Sequence, residues 1–554
     1  MPRNFPTAED SPKEFVLQRF NFVEQGRGSL EGNWIKYYKL WRSYVEKKSY
    51  PYESNLFIPY IFSIIETILP RLTRNLFSVR PFVKVQPRRE EYTNNASVMT
   101  DLLDYCAYVD KLFFKAVSFI LSMLIYGTAI AKVYWKDVDF KGNSQERPSL
   151  EILDIFDFYI DPFATSVGIG GDSDFSIMRA YKTQEWFRER ADQGNFENLD
   201  ALFSDLSGYM GNEYKKNERR NLFNYTQLNP PYTSMHEVLE LWTNDRVIIL
   251  VDRQHVIRNE PNPYGYQPFI RIVDQNIPLE FYGIGEVEGQ EDHQLSANDL
   301  RNQFMQTSFN ISQPSYICSR FADINSSQLV ARPSGRIDTD DMAGIQPLRI
   351  NPQLLNILLQ AEGTVKEDME RRSGVFDLIR GERTRGEETA TEILSRGENA
   401  NARFGLKTQL LEYLFLETLG EMWGDMCQQF MREEKVEAIV KEDATKFIRV
   451  SPEQIKGRFL YVPTASTISE AQKMVDRRDL LQIFQLAAQT GRLNVDEALL
   501  TLLNYFPVKN KEKFLLPPQP VGLQGSPNPQ NPQPQEGEGQ GGENPINLTS
   551  DIVQ

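Results

Sequence analysis

The chain has 554 residues, beyond the size at which one hydrophobic core keeps growing, so two or more domains are expected. Its formal net charge of -15 argues against a protein that grips nucleic acid, because affinity for phosphate comes from Lys and Arg displacing counterions. Hydrophobic residues make up 40% and charged residues 25%, a globular balance, and Cys106, Cys318 and Cys427 with His236, His255 and His293 match no metal-ligand spacing, which reads as free thiols in a reducing compartment.

The opening residues Met1-Pro2-Arg3-Asn4 contain no apolar signal region, so nothing in them suggests secretion. Residues 1–50 read as amphipathic helix: Val16, Phe20 and Val23, then Trp34, Tyr37, Tyr38, Trp41 and Tyr44 recur at helical spacing, a stripe expected to be core. Tyr60 to Phe77 predicts a helix interrupted at Pro70, leading to a strand over Phe82 to Gln86. Ala116 to Ala131 is the most apolar run, but it is shorter than the ~20 residues that span a bilayer. Gly127 divides it into a helix and a strand in which Ala129, Ala131, Val133 and Trp135 alternate. Strands continue through Glu151 to Ile160 and end at the Asp161-Pro162 turn. Gly168 to Asp174 is an acidic loop, read as solvated, with cation binding as the alternative. Thr183 to Asn224 reads as polar helices, and Val238 to Trp242 with Val247 to Val251 as a hairpin across Asn244-Asp245.

After Gly285 a helix is predicted to run to about Ile311, with Glu286, Glu288, Glu291 and Asp292 in its early turns, where negative charge suits the helix dipole. Gln290, Gln294, Asn298, Asn302, Gln306 and Asn310 recur at every fourth position and wind along roughly 39 Å of it. A solvated surface helix would favour Lys and Glu over amides; the other reading is a helix that packs on copies of itself. A second helix starts with Asn351 as N-cap and Pro352 at the first helical position. Leu354, Leu358, Ala361, Val365 and Met369 form its apolar stripe, with Glu362/Lys366 and Glu367/Arg371 as outer pairs. The two helices are expected to pair antiparallel. Between them Ser312 to Ile350, punctuated by Pro314, Pro333, Gly335, Gly344 and Pro347, reads as a small module at the hairpin tip, with strand-like runs such as Tyr316 to Cys318.

Past Ser373-Gly374 comes a loop, Val375 to Glu387, carrying Arg380, Arg383 and Arg385. Glu387-Glu388-Thr389-Ala390-Thr391-Glu392-Ile393 then starts a helix expected to reach Arg432, about 65 Å if unbroken, with Gly397 and Gly405 as kink sites. Phe447 to Val450 and Arg458 to Val462 read as strands rejoining the first domain. Ser469 to Phe506 reads as two helices joined at Gly491, and from Pro517 the Pro, Gln, Gly and Glu content predicts disorder.

Chemistry is sparse. There is no G-x-x-x-x-G-K-[ST] phosphate loop, and His236-Glu237 lacks the second histidine of a zinc-protease helix. Asp338, Asp340 and Asp341 have the charge to bind a divalent ion, as a nuclease needs, but sit in a turn-like run. No catalytic set, metal site or cofactor motif stands out.

At the hairpin and around it the chain resembles the portal proteins, the head-tail connectors, of tailed double-stranded DNA bacteriophages. Glu388-Thr389-Ala390-Thr391-Glu392-Ile393 carries the resemblance, with Phe281-Tyr282-Gly283-Ile284-Gly285, Asn262-Pro263-Tyr264, Pro268-Phe269, Tyr126-Gly127-Thr128 and the wording of Thr67 to Pro87. It implies an α+β, mainly helical subunit: a wing (1–285), stem helix (286–311), clip (312–351), second stem helix (352–373), tunnel loop (374–387), long kinked helix (388–432), wing return strands (433–466), helical crown (467–513) and disordered tail (514–554). It also implies a non-enzymatic homo-oligomer, a dodecameric ring at one capsid vertex of the virion, assembled in the host cytoplasm. Double-stranded DNA would be packaged and ejected through it, with terminase, capsid and scaffolding proteins and head-tail adaptors as partners, and with no cofactor and no membrane. On this resemblance Arg380, Arg383 and Arg385 face the channel, or pair with Glu382, Glu387 and Glu388 to order the loop, and the amide stripe lies at the subunit interface. The acidic balance suits a conduit. Rival readings are a metal-dependent enzyme acting on DNA, using the aspartates near Asp340, and an oligomeric scaffold without DNA.

Overall fold

The computed structural model describes residues 7–464 apart from 46–53, 137–138, 141–142, 145, 192–195, 197–198, 205–213, 223–234, 321–328, 330–341, 376–402, 433–434 and 442–443. All of these belong to one unit, Met1–Ser469. The expected crown (467–513) and tail (514–554) lie outside the described residues.

Helix α1 (Pro12–Gly26) turns Val16, Phe20 and Val23 onto one face of a five-stranded antiparallel sheet, against Tyr159, Ile177, Leu239, Leu241, Ile248 and Leu250. Helix α2 (Gly28–Trp41) buries Trp34, Ile35, Tyr37 and Leu40 in a second, larger core, so the aromatic stripe is packing, as its spacing predicted. Helix α3 (Tyr60–Leu76) runs straight through Pro70, where an interruption was expected. Proline costs a helix interior about 3 kcal/mol. Ile61, Ile64, Ile65, Ile68, Leu69, Leu72 and Leu76 are all buried on this helix, and each contributes roughly 1.5–3 kcal/mol, which outweighs the lost bond.

Strand β1 (Val83–Pro87) leads to α4 (Thr93–Val109) and α5 (Leu112–Tyr126), and Gly127 then turns the chain into β2 (Thr128–Lys136). Gly127 has φ +81°, and a Cβ there would sit 2.8 Å from the Gly285 nitrogen. Two stretches distant in sequence, Tyr126 to Thr128 and Phe281 to Gly285, therefore cross backbone to backbone, and the Gly283 amide donates to Thr128 Oγ1 at 2.8 Å. Strand β2 is central in a three-stranded antiparallel sheet, between β3 (Arg147–Leu153) and a strand at Phe269–Val273.

The five-stranded sheet contains β4 (Phe158–Ile160), β5 (Ser176–Thr183), β6 (Met235–Trp242), β7 (Arg246–Val251) and β8 (His255–Pro261), with β8 and β4 at its edges. The β6–β7 hairpin closes over Asn244-Asp245 with Trp242 opposite Val247, as predicted. Its second face packs Val238, Ile249 and Val251 on Phe187 and Leu202, so both faces are covered and the strands read as continuous apolar runs. The strand Phe269–Val273 is β9.

A long helix occupies 403–430, with a π-helical turn at Glu412–Glu417. The irregularity falls there and not at Gly405; Gly397 lies outside the described residues. The wide turn keeps Leu411-Glu412 and Phe415-Leu416 all on the core side, at the cost of burying the Glu412 carboxyl. Phe415 meets Phe119 at 5.1 Å and Trp423 meets Phe82 at 6.1 Å. The chain then forms an antiparallel hairpin, Lys435–Lys441 with Ala444–Val450, of which only the second strand was read from the sequence. Phe459–Pro463 returns to pair antiparallel with β1, Tyr461 opposite Val85, whereas Ala444–Val450, also expected to rejoin the first domain, pairs only with its own hairpin partner. No described helix is long and apolar enough to cross a membrane.

Candidate functional site

Helices α6 (Glu286–Ser312) and α7 (Gln353–Ser373) form the expected antiparallel hairpin. Asn351 Oδ1 accepts from the Gln353 amide at 3.0 Å, the predicted start signal. Near the root Gln290 Nε2 donates to the Met369 carbonyl at 3.1 Å. Farther along, Arg301 forks onto Glu362, with Nε to Oε2 at 2.8 Å and Nη2 to Oε1 at 2.6 Å. Glu362 also accepts from the Tyr60 hydroxyl at 3.0 Å. Burial, then this bond, pushes the Tyr60 phenol up to about 12. Glu362 is thus taken up by groups off its own helix, while Lys366 reaches Glu370 at 3.5 Å; the outer pair Glu367/Arg371 forms as read, also at 3.5 Å.

The amide stripe has a partner inside the chain. Residues 54–59, ahead of α3, run along α6 like a strap. Asn302 Oδ1 accepts from the Leu56 amide (2.7 Å) and Ser54 Oγ (2.9 Å), and its Nδ2 donates to the Leu56 carbonyl (3.0 Å). Asn298 Oδ1 accepts from the Ile58 amide at 3.0 Å. Gln294 Nε2 donates to the Ile58 carbonyl (2.6 Å) and its Oε1 accepts from the Ile61 amide (3.1 Å). Four residues of helix rise about 6 Å and two of extended chain about 6.6 Å, so an every-fourth-residue amide meets every second backbone unit. Gln290, Gln294, Asn298 and Asn302 therefore serve this chain's own backbone. Gln306 and Asn310 lie half-buried nearer the tip. Asn310 lines a groove of about 540 Å³ with Ile311, Pro314, Pro347, Leu348 and Arg349, beside the paired strands Tyr316–Cys318 and Ile345–Pro347.

At the hairpin root a single ammonium joins three segments. Lys407 Nζ, on the long helix, lies 2.5 Å from Asp274 Oδ1 just after β9 and also bonds Glu286 Oε1 at the start of α6. Burial pushes Asp274 up to about 7; Lys407 opposes this and Glu286 adds to it. Burial pulls Lys407 down, but the two carboxylates outweigh it and its pKa is raised. Four residues earlier, Arg403 Nη1 donates to the carbonyls of Arg371 (2.9 Å) and Arg372 (3.2 Å), capping α7 where Gly374 turns left-handed. Both flanks of 376–402 are thereby fastened to the root. Arg380, Arg383 and Arg385 themselves lie outside the described residues.

Other candidates resolve into structural roles. The Asp172 carboxylate accepts from Thr165 Oγ1 (2.7 Å), Ser166 Oγ (2.8 Å) and both backbone amides. Burial would raise its pKa, but these bonds prevail and hold it below the usual carboxylate range. The loop thus surrounds Asp172 with donors, where a cation would need further oxygen ligands. His236 Nδ1 sits 2.5 Å from Asp252, and Glu237 is held by Arg253 at 2.8 Å. Among the described residues no three His, Cys, Asp or Glu converge as a metal site. Asp338, Asp340 and Asp341 lie outside them. The root residues Asp274, Glu286, Arg403 and Lys407 had been missed, since an ion group assembled from separate segments leaves no local spacing to read.

A family model described as Phage SU10 portal protein matches residues 136–544, well over half of the chain, including the hairpin, its root and the arginine segment. No curated protein matches the chain.

Proposed function

The chain belongs to the phage SU10 portal protein family, and on that premise we propose that it is one subunit of a ring at a capsid vertex, through which double-stranded DNA is packaged and ejected. Portal proteins are structural components of the virion, and the role proposed is passive: a separate packaging ATPase, the terminase, drives the duplex. Helices α6 and α7 form the stem, 312–351 the clip that docks terminase and later the head-tail adaptors, residues before 286 the wing, and 467–513 the crown. The loop 374–387 faces the channel. What supports this reading is the hairpin root, where Arg403 caps α7 and Lys407 joins the long helix to Asp274 and Glu286, so that the residues on the two sides of 376–402 are tied together. Arginine suits transient phosphate contact because its planar fork donates two hydrogen bonds at once.

Negative-stain imaging and native mass measurement of the purified protein test the reading. A ring with a central channel is expected, and a compact monomer overturns it. Replacing Arg380, Arg383 and Arg385 with alanine separates the two roles of the loop. Channel contact predicts normal rings and procapsids with impaired packaging or retention of DNA, whereas a loop-ordering role predicts poor rings.

A further inference from the structure

Two large apolar side chains stand almost wholly in solvent on neighbouring turns: Phe163 is 87% exposed and Leu279 is 88% exposed. Neither turn is loose. Asp161 Oδ1 accepts from the Phe163 amide at 3.1 Å, and Asp172 ties up the residues just beyond. Leu279 has φ +64°, a left-handed conformation unfavourable for a residue with a Cβ. Arg271 fixes that turn, donating to the carbonyls of Phe281 (2.6 Å) and Glu280 (3.2 Å), and Ala164, Val167 and Phe281 share one apolar cluster, which brings the two turns together. Glu280 is exposed on the Leu279 turn, and Asp174 is exposed at the end of the loop that follows Phe163. The result is a rigid, two-pronged apolar knob with acidic flanks.

A patch of opposite character lies at the other end of α5. Tyr108 and Phe114 are 67% and 70% exposed, and Phe113 stacks edge-on between Phe114 (5.7 Å) and Phe77 (5.6 Å). Arg80 lies over the Tyr108 ring at 6.0 Å, and Lys111 is exposed in the turn between α4 and α5. The knob springs from the turn that abuts Gly127 at the C-terminal end of α5, and this patch surrounds its N-terminal end. Fifteen residues of helix, roughly 21 Å, separate them, so one chain cannot join its own two surfaces.

We propose that these are the two halves of a head-to-tail contact between copies of this chain, with Phe163 and Leu279 of one subunit seated on Tyr108, Phe113 and Phe114 of the next. The partner is a second copy because both complementary surfaces, apolar against aromatic and acidic against basic, are on one polypeptide; such a heterologous contact repeats and closes into a ring when its rotation closes. The inference rests on the ring reading above and adds a specific body-to-body contact remote from the hairpin.

Cross-linking tests it. Cys106 and Cys427 are buried and Cys318 is exposed, so Cys318→Ser gives a quiet parent. Chains carrying Leu279→Cys are mixed and reassembled with chains carrying Phe114→Cys, then oxidised. A two-chain band is expected from the mixture and from neither variant alone, and it is lost when Phe163→Asp is added to the Leu279→Cys chain. Rings of normal mass without the band overturn the contact and leave the portal reading standing. A band from Leu279→Cys alone makes the contact symmetric and overturns it as well. Persistence of the band with Phe163→Asp removes that prong from it, and a parent that forms no ring defeats both readings.

Discussion

At its root the hairpin buries Gln290, Gln294, Met369 and Glu370 against the body, whereas toward the tip Met305, Phe309, Leu354 and Ile357 stay exposed on the same two helices. Amides are taken inside at the root beside Val287 and Met369, while large apolar groups stay outside at the tip. At the root the neighbour is a strap of backbone whose amides and carbonyls must find partners once out of water, and Gln and Asn side chains supply both donor and acceptor. At the tip no such backbone lies alongside among the described residues, and the apolar side chains are open to another subunit. Burial in this hairpin follows the neighbour's chemistry more than the residue's hydrophobicity.

Variants that remove one half at a time separate these roles. Lys407→Met would leave Asp274 and Glu286 buried side by side without a cation and is expected to cost about 3–5 kcal/mol in denaturant unfolding; adding Asp274→Asn should recover part of the loss. An unchanged unfolding midpoint would mean that the root is not held by this ion group. Gln294→Ala strands the Ile61 amide and leaves the Ile58 carbonyl with the Tyr60 amide alone, and should cost about 1–3 kcal/mol, with faster hydrogen exchange at Ile61; unaltered exchange there would refute this anchoring of the strap.

Glu412 gives a pH-dependent contrast on the same long helix as Lys407. Burial pushes its carboxyl up to about 7, above its unfolded value near 4.3, so its favourable contribution is complete below that lower value and disappears as pH rises through about 7. Glu412→Gln, which resembles the protonated acid, should therefore raise the melting temperature at pH 8 and leave it nearly unchanged at pH 4. An equal gain at both values would rule out titration as the cause. At the tip, Ile357→Ser should alter the stability of the isolated chain by no more than about 0.5 kcal/mol while lowering the yield of rings. A clear stability loss with normal rings would reverse the assignment of the two halves.

Features with a local period were legible in the sequence. The bounds of α6 and α7, the turn over Asn244-Asp245 and the division of the apolar run at Gly127 follow from spacing, caps and glycine conformation. The amide stripe was visible as a pattern, but the pattern does not say whether the facing backbone belongs to the same chain. Pro70 misled because propensity is local while the core that overrides it is assembled from α2, α5 and the long helix. Lys407 carried no signal, since its two carboxylates lie more than a hundred residues away in sequence.

The strap and α6 are two rulers with slightly different gradations, about 6.6 Å against about 6 Å, and their marks drift by roughly 0.6 Å at each rung. Asn302 and Asn298 still fall opposite Leu56 and Ile58. At the next division the strap is no longer extended, and there the residue is Gln294, one methylene longer, reaching Ile58 on one side and Ile61 on the other. The strap ends where the Tyr60 amide donates back to the Ile58 carbonyl across Pro59 and α3 begins. Gln294→Asn would shorten the last gradation, so even an exchange of one amide for another at this rung should loosen the strap.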